Sequence, residues 1–188
     1  MSIPKPPDLA KLVVSVFMKD KGLFDPIFHS LEKICGPVDM MSKWLDFDFT
    51  DYYYKEMGEP LFRRLVAFKT LIDQEDLSSI KLKTNEIEKE HIDPTQIDKA
   101  MRRVNIDPGY LLPSRFILAT GKDYSHRIYI GKQIYADLTL MYTKQGFKTL
   151  EWTYPDYASE SVFRFLGQVR QKYVLDLHAY KLSRHKET

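Results

Sequence analysis

Four polar blocks interrupt otherwise apolar stretches of this 188-residue chain: 50–58, 102–110, 120–127 and 152–157. Each sets a carboxylate or a base beside an aromatic ring. His126 is the one histidine in these blocks, and imidazole exchanges protons near neutral pH, which makes it the candidate general acid or base. Asp51 and Asp107 are the carboxylates expected to act with it. Arg103, Lys122 and Arg127 are cations beside turns, suited to phosphate or carboxylate oxygens, with Arg127 a possible bidentate fork. Asn105, Tyr110, Trp152 and Tyr154 are candidate ligand-binding residues, and the rings could stack a planar group. Asp51, Glu56 and Asp156 are oxygen donors of the kind that hold Mg²⁺, an ion usually shared with a phosphate. These residue types point to one cleft for a phosphorylated small molecule or nucleotide, with Mg²⁺ the expected cofactor. Any reaction there would be phosphoryl or phosphodiester chemistry.

Motifs for other chemistries are missing. The chain has no Gly-x-x-x-x-Gly-Lys-Ser/Thr phosphate loop, no Gly-x-Gly-x-x-Gly, no His-Glu-x-x-His and no Gly-x-Ser-x-Gly. His29, His91 and His178 fall in helical patterns and make no ligand pair. The blocks also have plain structural explanations. Asp107-Pro108-Gly109 and Tyr154-Pro155-Asp156 are turn signatures. Tyr52, Tyr53 and Tyr54 read as packing tyrosines, and Lys81, Asn85 and Glu88 as a solvated helix stripe.

These side chains need elements to hold them. With 44% hydrophobic and 29% charged residues and a net charge of +2, the chain can bury a core and carries no global basic field. Cys35 is the only cysteine, which excludes a disulfide framework and suits a reducing cytoplasm. No run approaches the ~18 apolar residues of a membrane span, so no membrane partner is expected. The opening 1–10, with three prolines, reads as an extended lead-in rather than a signal peptide.

Lys11 to Met18 is near-continuously apolar, as in a strand buried on both faces. Leu23, Ile27, Leu31 and Ile34 recur at helical spacing before Gly36-Pro37. Lys43 to Thr50 alternates, predicting a half-buried strand, and Leu61 to Leu71 a further one paired with it. Asp73 to His91 is helical and breaks at Asp93-Pro94. Val104 to Leu111 is extended. Strands then follow at 116–120, 126–130, 134–142 and 147–153, and a last helix capped by Ser159 buries Val162, Leu166, Val169, Tyr173, Leu177 and Tyr180.

One hairpin can be solved in register. Ile128, Ile130, Ile134, Ala136 and Leu138 share a face only if Gly131-Lys132-Gln133 forms a three-residue loop. That register sets Arg127 opposite Asp137 as an ion pair and Tyr129 opposite Tyr135 as stacked rings.

The blocks Phe47 to Tyr53, Glu56 to Gly58, Asn105 to Tyr110, Lys122 to Tyr129 and Trp152 to Tyr157, with Ile80-Lys81 and 84–88, resemble the family called domain of unknown function 4416. The resemblance runs from about Lys11 to Tyr173 and implies no established activity. Some relatives are described as GTP-binding, to which the missing phosphate loop gives no support. The family pattern favours Glu where this chain has Asp137.

The expected architecture is a single α+β domain: a ferredoxin-like βαββαβ core over 11–112, an antiparallel β-meander over 113–158, a C-terminal helix over 159–182 and a frayed tail over 183–188. Two alternatives stand beside the small-molecule cleft. One is a non-catalytic RNA-binding module using a basic terminal helix (Arg164, Arg170, Lys172, Lys181, Arg184). The other is a protein-interaction scaffold.

Overall fold

The computed structural model describes residues 2–92 and 102–184. The predicted break at Asp93-Pro94 and the tail beyond Arg184 lie outside them. The chain is a mixed α+β protein: the described residues form nine antiparallel strands in one sheet and four helices, the last of them a C-terminal helix. The strands are β1 (Ala10–Met18), β2 (Val38–Met41), β3 (Leu45–Asp46), β4 (Phe62–Ile72), β5 (Val104–Leu112), β6 (Arg115–Thr120), β7 (Arg127–Tyr129), β8 (Tyr135–Thr143) and β9 (Gly146–Thr149). The helices are α1 (Phe24–Cys35), the single turn α2 (Tyr54–Met57), α3 (Leu77–Glu90) and α4 (Glu160–Arg184). Strand order is β2-β4-β1-β5-β6-β8-β7, with β3 on β4 and β9 on β8.

Alternation along β1 explains the layers. Leu12, Val14, Val16 and Met18 face α1 and α3, packing on Phe24, Ile27, Leu31, Ile80 and Ile87. Val13 faces the other way with Leu65, Ala67, Leu118 and Leu140, under Val162, Leu166 and Val169 of α4. β1 is therefore buried on both faces, as its unbroken apolar run predicts. Lys11 lies within it without exposure, its charge met by Asp39 at 2.5 Å and Asp176 at 3.2 Å. Gly36 ends α1 at φ 85°, where a side chain would be strained.

Several expectations need correcting. The strand over Lys43 to Thr50 shrinks to β3, because Phe49 points into solvent and only Phe47 is buried beyond it. Asp107-Pro108-Gly109 is no turn and lies in the middle of β5. The Ile106 amide and carbonyl point away from β1, towards α3. By alternation the Pro108 nitrogen faces that same side, where the β5–β6 ladder extends no further than Gly109, so no ladder bond is lost. The meander is also rearranged: β8 pairs directly with β6, while β7 and β9 share its outer edge. Ser183 and Arg184 continue α4, and Tyr180 is more than a third exposed rather than buried.

Among the described residues, no helix is long and apolar enough to cross a membrane.

Candidate functional site

The hairpin of β7 and β8 positions the first part of the site. Its register is the predicted one, with Arg127 opposite Asp137 and Tyr129 opposite Tyr135 around the loop 131–133. Arg127 Nε donates to Asp137 Oδ2 at 2.9 Å. The Tyr129 and Tyr135 rings meet edge-on at 5.5 Å rather than stacked. The apolar face turns towards Tyr110, Ile117 and Leu77, but Ile128 escapes it into solvent.

Burial of Arg127 changes its role. Nη1 donates to the Lys122 carbonyl at 2.9 Å and Nη2 to the Tyr154 hydroxyl at 2.8 Å, so all three nitrogens are engaged within the protein. It is not a free fork for phosphate. It ties the 120–127 block to the 152–157 block. Burial works against its charge, but Asp137 and Tyr154 outweigh that and raise its pKa.

His126 stands beside it. Its Nε2 lies 3.3 Å from Asp137 Oδ2, and its ring stacks on Trp152 at 5.0 Å with 13° between planes. A carboxylate only accepts, so this hydrogen bond places a proton on Nε2. The Trp152 indole donates to the Leu138 carbonyl at 2.8 Å, which fixes the ring. Lys122 reaches the Tyr52 hydroxyl at 3.1 Å, joining the 50–58 block to the same place. Tyr52, Tyr124, Trp152 and Tyr154 are between 37% and 62% exposed, an aromatic rim around Lys122 and His126.

The second part lies on the α4 face of β1, β4 and β5. Arg63 Nη2 pairs with the buried Asp156 carboxylate. Its guanidinium lies 4.7 Å from the Phe47 ring and 4.6 Å from the Tyr157 ring. Tyr53 joins the two parts: its phenol is held well above the usual range, first by burial, then by Asp107, with Tyr154 and Asp156 adding to it and Arg102 opposing. Asp107 accepts from Asn105 at 2.7 Å and from Lys81 at 3.2 Å. Arg102 clamps both Glu56 oxygens, at 2.5 and 2.8 Å, and contacts Asn105 Oδ1 at 2.8 Å. Glu56 is the chief cause of the raised Arg102 pKa.

Lys81 and Glu88 are buried, against the expectation of a solvated stripe. Lys81 Nζ donates to the Ile106 carbonyl at 2.7 Å and the Ile106 amide donates to Glu88 at 2.6 Å. They fill the hydrogen-bonding positions of a strand where β5 and β6 have diverged. Burial raises the Glu88 pKa, with Lys81 opposing.

Residues 8–173 match the family described as domain of unknown function DUF4416. The chain belongs to that family. No curated protein and no solved structure matches it.

In this DUF4416 chain the candidate residues divide cleanly. His126, Lys122, Trp152 and Tyr154 form the rim, and Asn105 and Asp107 lie on the floor reached through Tyr53. Tyr110 belongs to neither. Three residues beyond Asp107, an odd step along β5, it lies on the opposite sheet face and its hydroxyl donates to Gln74 at 3.4 Å. Arg103 is turned out to Asp20 at 3.7 Å. The Mg²⁺ donors Asp51, Glu56 and Asp156 do not assemble: Glu56 is held by Arg102, Asp156 by Arg63, and Asp51 is exposed in the loop before α2. Among the described residues, no three His, Cys, Asp or Glu side chains gather as a metal site.

Sequence reasoning missed Arg63, Arg102, Ser15 and Tyr157. Alternation from Arg63 through Leu65 to Ala67 was the available signal for an inward arginine. The basic residues of α4 are occupied locally. Arg164 pairs with Glu160 at 2.6 Å, Lys172 with Asp176 at 2.8 Å and Lys181 with Asp8 at 2.5 Å. Arg170 lies over Tyr142 at 3.6 Å. The side chain of Arg184 is outside the described part.

Proposed function

We propose that the rim around Lys122 and His126 binds a phosphorylated small molecule or nucleotide. The observation that carries this reading is the clustering of four exposed aromatic rings about two basic side chains at one end of the sheet. Solvent-facing rings gathered in one patch mark an interaction site, and rings with a cation between them suit a ligand that is planar at one end and anionic at the other. Lys122 would meet phosphate oxygens, Trp152 and Tyr154 a planar group, and His126 Nδ1 a proton to be moved if there is turnover. Mg²⁺ would then come with the phosphate rather than being held by three carboxylates. Within the larger sheet we read β1, α1, β2, β4, α3 and β5 as a ferredoxin-like unit, which the order β2-β4-β1-β5 supports. The free, buried Cys35 fits a cytoplasmic location.

A thermal-shift series with nucleotides and sugar phosphates, with and without Mg²⁺, tests the reading. A ligand at ~100 Kd adds about 2.7 kcal/mol to stability, so the midpoint rises. Trp152→Ala and Lys122→Ala remove that rise. A flat response to every phosphate compound at millimolar concentration overturns it. A response to RNA alone, falling steeply with salt, replaces it with the RNA-binding reading.

A further inference from the structure

The 152–157 turn reaches from the rim to a second polar group deeper in the molecule. Ser15 Oγ, Arg63 Nε and Tyr157 OH have no hydrogen-bond partner among the described residues, in side chains at most 3% exposed. Buried polar atoms are ordinarily paired, and leaving them unpaired is costly. Three such atoms in one place therefore ask for a common partner.

The register shows that they do share one place. Ser15 lies across from Leu65 on one side and Asp107 on the other, and in the next row Phe17 lies between Arg63 and Asn105. Ser15 is the smallest side chain of these six, and Tyr157 lies against it from the α4 side. Burial raises the Tyr157 pKa, and Arg63, Asp107, Asp156 and Ser15 all stand near enough to act on it. Ser15 stands close enough to lower the Tyr157 pKa as a hydrogen-bond partner would, yet the two hydroxyls do not meet with the distance and angles of a full hydrogen bond.

Charge decides what the group takes. Arg63 is neutralised by Asp156, and Asp107 adds a second carboxylate alongside. A phosphate dianion would find no free cation and two negative neighbours. Arg63 Nε–H only donates, whereas the Ser15 and Tyr157 hydroxyls both donate and accept. A neutral hydroxyl oxygen satisfies that set. Asp107, partly exposed, offers an acceptor to a further hydroxyl.

We propose that Ser15, Arg63 Nε and Tyr157 form a subsite for ligand hydroxyls, so that the site takes a polyhydroxylated phosphate, its sugar end inward and its phosphate at Lys122. The class is a sugar phosphate or a ribonucleoside monophosphate. The inference rests on the rim being a phosphate-ligand site.

Calorimetric titration of the full chain with two matched pairs tests it: ribose 5-phosphate against 2-deoxyribose 5-phosphate, and AMP against its 2′-deoxy counterpart. The hydroxylated member of at least one pair binds about tenfold tighter, the size expected for pairing one buried polar group. Which pair discriminates tells a free sugar phosphate from a nucleotide. Tyr157→Phe and Ser15→Ala bring that preference towards unity and leave binding of inorganic phosphate unchanged, whereas Lys122→Ala weakens every probe. Equal affinity within both pairs overturns the hydroxyl subsite while the rim reading survives through the Lys122→Ala effect. Absence of binding by all probes overturns both. The comparison within each pair uses the unaltered chain, so a variant that fails to fold does not remove the test.

Discussion

Arg127 and Asp137 face one another across β7 and β8 at 2.9 Å, with 2% and 5% of their side chains exposed. Removing one partner leaves the other charge buried and uncompensated, which costs about 3–5 kcal/mol. Arg127→Met alone therefore destabilises by that amount in urea unfolding. Asp137→Leu alone does likewise and also releases His126. The double variant loses clearly less than the sum, because no lone charge remains. Additive losses would show that the pair is not coupled.

This pair was legible in the sequence because period-2 alternation and a three-residue loop leave only one register that keeps the apolar stripe together. The helices were legible for the same reason, from apolar residues at spacing three and four. What was not legible depended on distant neighbours. Lys81 and Glu88 read as a wet stripe because nothing local announces that β5 and β6 part opposite them. Asp107-Pro108-Gly109 has turn chemistry, but pairing with β1 overrides it. Arg127 was rightly paired yet wrongly offered to a ligand, since the Tyr154 hydroxyl that takes its last nitrogen comes from another block.

Gly109 is fixed by close approach rather than by backbone freedom. A Cβ there would sit 2.4 Å from the Ile117 carbonyl oxygen and 2.9 Å from a Leu118 methyl. An ordinary Gly→Ala change at a compatible site stabilises by about 0.4–1 kcal/mol. Gly109→Ala is expected to reverse that sign and cost about 3 kcal/mol, the upper end of overpacking, because backbone must move. Equilibrium unfolding reads the difference. A neutral or stabilised variant would show that β5 and β6 sit further apart than described.

Cys35 is buried at the end of α1, and burial pushes its thiol up to about 12, with Lys83 opposing slightly. At pH 8 almost no thiolate exists in the folded chain, and thiolate is the reactive form. A disulfide reagent should therefore label the native protein only at the rate of unfolding, and promptly in denaturant. Rapid stoichiometric labelling of native protein would contradict the burial of α1 on the sheet.

The acid side of the stability curve is set in part by α4. Asp176 is partly buried, which alone would raise its pKa, but Lys172 and Lys11 outweigh that and hold it below its ordinary value of 3.8. Because the folded pKa is the lower one, the unfolded chain binds this proton first as pH falls. The stabilisation is thus complete above about pH 4 and is lost as pH drops through the folded value. Asp176 remains partly open to solvent, so its share is about 1 kcal/mol at most. Asp176→Asn should lower stability at pH 7 by that order and flatten the decline below pH 4, measured as unfolding midpoints across pH 2–7. Lys11 stays paired with Asp39 at 2.5 Å in that variant, which keeps its buried charge compensated and confines the effect to α4. An acid limb as steep in Asp176→Asn as in the parent would place the titrating carboxylate elsewhere.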